Sequence, residues 1–229
     1  MRAVIFGAGT HGEAYLSYFR ECGINVVGFL DDNVFQLGSS VRGVPILGRF
    51  QELPQLITLY GIDAAFCPLG NNKLRCKLLL WAKELGLNIP NFIHPVANAS
   101  SNAIIAQEGV YILPGTVIWP WSSLGRFVMI NANSQVAHHT TLGDGVFLSS
   151  GVNCGASITV NDYAYLGMGS TIMTGVNTLG EDCLIGAGAV VIKDVPDGAV
   201  VAGVPAKVLK YKDGYNILSD SNINRGGVK

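Results

Sequence analysis

From residue 112 the chain repeats an apolar position every six residues. Ile112, Ile118, Leu124, Ile130, Val136, Leu142, Leu148, Cys154, Val160, Leu166 and Ile172 keep the register without a break, and after a one-residue slip it resumes at Leu179, Ile185 and Val191. A second row lies two residues before each rung and holds small or β-branched residues: Val110, Thr116, Ser122, Val128, Ser134, Thr140, Val146, Val152, Ile158, Ala164 and Ser170. A period of six is neither the 3.6 of a helix nor the 2 of a simple strand. It predicts a parallel β-helix, in which each short strand points a side chain inward and then turns a corner. Gly125, Gly143, Gly155, Gly167, Gly180 and Gly186 each follow a rung directly. They are expected to relieve Cβ strain at the corners.

The first ninety or so residues follow another pattern. A short apolar strand over 3–6 runs into Gly7-Ala8-Gly9-Thr10-His11-Gly12. Apolar spacing at Tyr15, Tyr18 and Phe19 predicts a helix over 12–22, ended by Gly23. A second strand over 26–30 leads to Asp31-Asp32-Asn33. This is a β-α-β unit with a glycine-rich first turn and acidic residues about 20 positions later. The turn amides and the helix N-terminus attract a phosphate, and Asp31 or Asp32 suits a ribose or a base. An edge strand or turn over 43–48, a helix over 53–60, a strand over 64–68, a helix over 73–85 and a short strand over 91–93 complete the region. About 95 residues make roughly half of a full dinucleotide domain, so the site is expected to be mononucleotide-sized.

Pro90 and Pro95 mark a boundary. The expected organisation is a Rossmann-like domain with a mononucleotide-sized site over 1–95, a β-helix over 96–210 and a polar tail over 211–229.

Composition adds limits. The 229 residues include 29 glycines, which the repeat explains, and the net charge of −1 gives no field for binding nucleic acid. Five cysteines lack metal-ligand spacing, and Cys154 and Cys183 fall on ladder positions as reduced core residues. Met1 leads straight into a strand, and no apolar run is long enough to insert into a membrane. The expected location is the cytoplasm.

One turn of the ladder carries chemistry. Two of the chain's four histidines, His138 and His139, lie between the inward Val136 and Thr140. At least one should face outward, and imidazole accepts protons near neutrality. A metal site is not expected, because zinc needs three well-placed ligands and only His94 is a further candidate.

The ordered set Gly7-Ala8-Gly9-Thr10-His11-Gly12, Gly28-Phe29-Leu30-Asp31-Asp32, Leu69-Gly70-Asn71-Asn72, Ile93-His94-Pro95, the ladder with His138, and Gly203-Val204-Pro205-Ala206-Lys207 resembles a known family. It is similar to the sugar O-acyltransferases related to sialic acid O-acetyltransferase and to UDP-4-amino-sugar N-acetyltransferase. The resemblance implies a left-handed β-helix and a homotrimer with active sites between subunits. It implies transfer of an acetyl group from acetyl-CoA to the amine of a nucleotide-activated amino sugar, with a UDP-linked 4-amino-4,6-dideoxy sugar first in line, for bacterial surface glycan synthesis. Carried over by motif, Gly9, Thr10, His11, Asp31, Asp32, Gly70 and Asn131 would bind the nucleotide sugar. Phe147, Gly167, Met168, Gly186 and Ala187 would line the CoA side, and His138 would be the general base. Members of the family follow that histidine with an acidic residue, where this chain has His139, and a histidine stands near the acetyl group where this chain has Phe147.

Three alternatives stay open on sequence. They are O-acetylation of sialic acid or another sugar hydroxyl, an oxidoreductase at the glycine-rich turn, and a non-catalytic trimeric nucleotide-binding scaffold.

Overall fold

The computed structural model describes residues 1–33 and 37–215; the remainder of the expected tail, 216–229, lies outside the described residues. The chain folds as an α/β half laid against a three-sided β-helix.

The α/β half runs β1 (Ala3–Phe6), α1 (Thr10–Glu21), β2 (Val26–Leu30), β3 (Ser40–Val41), β4 (Val44–Gly48), α2 (Leu53–Tyr60), β5 (Ala64–Phe66) and α3 (Asn72–Glu84). Its sheet has the order β3-β4-β2-β1-β5, parallel except for β3 at the edge. β1 and β5 are fully buried, as a strand covered on both faces requires. The stretch over 43–48, read as an edge element, is a parallel inner strand; β3 takes the edge.

The β-helix is built of two-residue strands stacked in three parallel sheets. The seam face, so named because the α/β half packs on it, carries Tyr111–Ile112, Met129–Ile130, Phe147–Leu148, Tyr165–Leu166 and Leu184–Ile185. The second face carries Val117–Ile118, Gln135–Val136, Asn153–Cys154 and Thr171–Ile172. The third carries Ser123–Leu124, Thr141–Leu142 and Thr159–Val160. Partners are eighteen residues apart, as in Val117↔Gln135, so three hexapeptides make one coil. The slip after Ile172 is one extra residue at a corner: Thr171 pairs with Val190 and Thr159 with Thr178.

Both rows of the ladder point inward. Every rung from Ile112 to Val191 is at most 2% exposed, and the small-residue row is buried with them. Four of the five hydroxyls in that row are satisfied by carbonyls of the coil, as where Thr116 Oγ1 donates to Asn131 O, Ser122 Oγ to Trp119 O, Ser134 Oγ to Ser149 O and Thr140 Oγ1 to Gly155 O; the buried Ser170 Oγ makes no hydrogen bond.

The structure corrects two expectations. The glycines that follow rungs do not occupy the left-handed corner. That conformation falls three residues after each rung from Ile112 to Ile185, at Trp121, Phe127, Asn133, His139, Gly145 and Gly151 among others. Glycine is needed after the rung because the next coil is too close. A Cβ on Gly143 would lie 2.8 Å from Asp162 N, and one on Gly167 would lie 2.7 Å from Ala187 N. The strand over 91–93, assigned to the first domain, is Phe92–Ile93, which pairs with Tyr111–Ile112 and so forms the first rung of the seam face. At the other end the ordered chain continues past residue 210. Tyr211 closes the strand Lys207–Tyr211, and Lys212 pairs with Asp182.

One buried cation ties the halves together. Arg75 on α3 is 0% exposed. Its guanidinium donates to Leu69 O at 2.7 Å and Asn72 Oδ1 at 2.9 Å, and to Gly145 O at 2.7 Å and Phe127 O at 3.2 Å on two successive coils. Asn72 adds bonds to Tyr163 O and Ala164 O. Replacing Arg75 with methionine strands all four acceptors. Arg75→Met is expected to cost about 3–5 kcal/mol of stability, read as a lower urea midpoint; an unchanged midpoint would show that apolar packing alone holds the seam.

Candidate active site

The glycine-rich turn connects β1 to α1. Gly7 has φ +95, and a Cβ on Gly12 would sit 2.1 Å from Gly7 O, so these two glycines are imposed by the turn itself. Gly9 differs. It is exposed, its φ is −74, and a Cβ there would meet nothing within 4 Å. Gly70 is likewise exposed, with ordinary φ and open space around it. Among the described residues Gly9 and Gly70 are the two glycines that neither backbone conformation nor internal packing accounts for. Both open toward solvent, as close approach by a ligand demands.

Gly9 caps α1 without a side-chain hydrogen bond, so the first-turn amides of the helix, with exposed Thr10, remain available to an anion. The aspartates hold the loop. Asp31 Oδ2 accepts from Ala8 N at 2.7 Å and Oδ1 from Asn33 N at 2.8 Å. Asp32 Oδ1 accepts from Phe50 N at 3.0 Å. In the second loop Asn71 caps α3 by accepting from Leu74 N at 3.1 Å, which leaves Gly70 as its open position.

His11 lies where the turn meets the seam face. Its ring is 5.1 Å from Tyr15 and 6.4 Å from Phe147, and it hydrogen-bonds to the Asn131 side chain. Burial first, and then the charge of Arg75, push its pKa below the ordinary value, so the ring is neutral at neutral pH. Tyr15 donates to Asn131 Oδ1 over a long 3.4 Å. Phe147 is 3% exposed and stacks on Tyr165 at 4.7 Å, with Arg75 5.9 Å over its ring. Phe147, expected on the CoA side, is buried in the seam with its ring beside His11 and Tyr165.

The remaining expected residues occupy the edges of the prism. Asn131, Gly167, Met168, Gly186 and Ala187 all follow seam-face strands, at the corner leading to the second face. Met168 and Ala187 are exposed there; the glycines beside them are explained by coil spacing alone. His138 and His139 follow Gln135–Val136, at the corner between the second and third faces. Their Nδ1 atoms are 3.0 Å apart. Trp119 faces His138 and Trp121 faces His139, with ring centroids 6.1 and 5.1 Å apart. Within one chain the histidines thus stand on a different edge from the glycine loops. Among the described residues no cluster of three or more metal-ligating side chains occurs.

Sequence reasoning missed Arg75, Asn72, Tyr15, Tyr165 and the two tryptophans. Arg75 was signalled by its place on the apolar face of α3, three residues before Leu78 and four before Leu79. Trp121 was signalled by standing eighteen residues, one full coil, before His139.

A rung every six residues and a glycine-rich β-α turn packed on the β-helix define the class as a hexapeptide-repeat β-helix protein with a Rossmann-like half. The PglD N-terminal domain family matches residues 2–81. The chain is 31% identical over 219 residues to GDP-perosamine N-acetyltransferase of Escherichia coli O157:H7, covering 90% of this chain and 95% of that one. PerB from Caulobacter crescentus, solved with CoA and GDP-perosamine, superposes with a TM-score of 0.84 at 34% identity, over 92% of this chain and 98% of that one. The acetyltransferase domain of PglB from Neisseria gonorrhoeae FA1090 superposes with a TM-score of 0.82 at 32% identity, over 91% and 99%. This chain belongs to the hexapeptide-repeat sugar acyltransferase family.

Gly9→Ala and Gly70→Ala are expected to leave the thermal midpoint unchanged, since a methyl meets nothing, yet to weaken nucleotide-sugar binding roughly tenfold, by about 1.4 kcal/mol. Calorimetric titration beside a melting curve checks this, and unimpaired binding would remove both loops from the site.

Proposed function

We propose that the protein transfers an acetyl group from acetyl-CoA to the amine of a nucleotide-activated amino sugar. The observation that carries this is the end-to-end match to PerB, a relative solved with CoA and GDP-perosamine together. The open glycines Gly9 and Gly70 support a nucleotide site beside His11, Asn131 and Phe147. The exposed corner at Met168 and Ala187 offers a wall for the pantetheine arm.

The amine attacks the thioester carbonyl directly. His138, half-exposed on its edge, takes the proton as the nitrogen gains positive character. A backbone N–H stabilises the tetrahedral oxyanion, and CoA leaves as a thiolate that is then protonated. The cysteines give no sign of a covalent route: burial pushes the Cys154 and Cys183 thiols up to about 12, and Cys76 to about 11. The Caulobacter enzyme has also been solved with both ligands after one histidine was replaced by alanine or asparagine, in keeping with a histidine at the reacting centre.

The carrier is best taken as a nucleoside diphosphate. The sequence leaned toward UDP, and the perosamine relatives put GDP beside it. Thiol release from acetyl-CoA, measured against UDP-, GDP- and dTDP-linked amino sugars and against hydroxyl acceptors including sialic acid, tests the reading. Release with an amino sugar is expected, and His138→Ala should slow turnover roughly 100-fold or more. Release with hydroxyl acceptors alone would overturn amine transfer.

The active form is a homotrimer in this proposal. The histidines and the glycine loops occupy different edges of one chain, so a neighbouring copy completes each site. Trp119, Trp121 and Ile104 are 42%, 62% and 69% exposed near the histidine edge, more apolar surface than a lone chain ordinarily leaves open. Light scattering is expected to give three times the chain mass of 24.2 kDa; a fully active monomer would contradict a shared site.

A further inference from the structure

This inference rests on the reaction proposed above and concerns how its base is kept in the right protonation form. His138 and His139 are neighbours in sequence at a corner. His139 has φ +60, and this left-handed turn brings its ring back toward His138. The Nδ1 atoms are 3.0 Å apart and the ring planes cross at 87°. Two ring nitrogens at that distance form a hydrogen bond when one carries a proton and the other a lone pair.

Within one chain the neighbours of the pair are aromatic and polar. The coil before contributes Trp119 and Trp121. The coil after contributes Ser157, whose N–H donates to His138 O at 3.0 Å. None of the ion pairs among the described residues involves either imidazole.

We propose that His139 is a positioning residue that fixes the tautomer of His138. A neutral His139 accepts, at Nδ1, the Nδ1–H of His138. The lone pair of His138 then sits on Nε2, free to take the proton of the attacking amine. When that proton arrives, His138 becomes an imidazolium and keeps its bond to His139. A proton added to the resting pair disables the base by either route. On His138 it fills Nε2 directly. On His139 it fills Nδ1, which must then donate to His138 Nδ1, and this drives the His138 proton to Nε2. The base is therefore available while both rings are neutral. A carboxylate in the same place would go on accepting through this pH range; an imidazole adds a second proton to the requirement.

The test measures acetyl transfer against pH for the wild type, His139→Asn and His139→Ala, with long-range proton–nitrogen NMR of the histidine rings. Asparagine tolerates the left-handed backbone, offers an oxygen acceptor and does not titrate. On the acid side, log(kcat/KM) of the wild type should steepen to a limiting slope of two, and that of His139→Asn should stop at one. At about pH 8 His139→Asn should stay within roughly threefold of wild type, and His139→Ala should lose roughly 10–100-fold in kcat with the acetyl-CoA KM unchanged. NMR should show Nδ1–H on His138, Nε2–H on His139, and both rings shifting through the same transitions. A wild-type pH profile in both variants, or an Nε2–H tautomer of His138 in the neutral protein, overturns the proposal. NMR reads the tautomers without turnover. A wild type that transfers no acetyl group would therefore sink the reaction while the ring protons still decide on the pair.

Discussion

The buried guanidinium of Arg75 is the interaction on which the two halves depend. Among the described residues no carboxylate pairs with it. Its donors end instead on carbonyls from the Gly70 loop and from two successive coils, and on the amide of Asn72. An ion pair would cancel the charge; carbonyl dipoles satisfy the hydrogen bonds and leave the charge in place. That charge is felt by His11, which it helps keep neutral, and it lies beneath the ring of Phe147 in the seam. One residue therefore ties the α/β half to two coils of the β-helix and helps keep His11 neutral.

The two halves divide the work according to what each fold does well. A parallel α/β sheet ends its strands in loops, and here two of those loops present unencumbered glycines to solvent. A β-helix has almost no loops. It offers straight edges on which residues eighteen apart stack about 4.8 Å from one another, a ruler along which an extended thioester arm can lie. The histidine pair falls at a corner, where side chains leave both the core and the ladder.

The β-helix was legible because its period is short and its core rows are strict; a β-branched or aliphatic residue every sixth position admits no other packing. The reason for the glycines after the rungs was misread, because sequence shows that a glycine is present but not which neighbour excludes a Cβ. The strand Phe92–Ile93 was placed in the wrong half for a similar reason: a two-residue strand has no periodicity of its own, and its allegiance is decided by the partner, Tyr111–Ile112. On the α/β side the glycine-rich turn predicted the loop that joins β1 to α1. Arg75 and Asn72 were passed over because polar residues on an apolar helix face acquire meaning when the carbonyls that receive them are seen. The pairing of Trp121 with His139 was implicit in the coil length, but a sixfold repeat alone does not say that three repeats close one turn.

The three-faced coil also makes change along this chain a matter of rotation. Removing six residues would keep every rung buried and every core row intact, so the prism would still close. Everything after the deletion would nevertheless be turned by a third of a revolution. The edge bearing His138 would come to lie where another edge now lies, and the seam face would receive strands shaped for solvent. Removing eighteen residues shortens the prism and turns nothing. The single extra residue near Gly175 is absorbed at its corner for the same reason. Length in this fold is thus counted in whole turns, and the chemistry of an edge is inherited by phase rather than by distance along the chain.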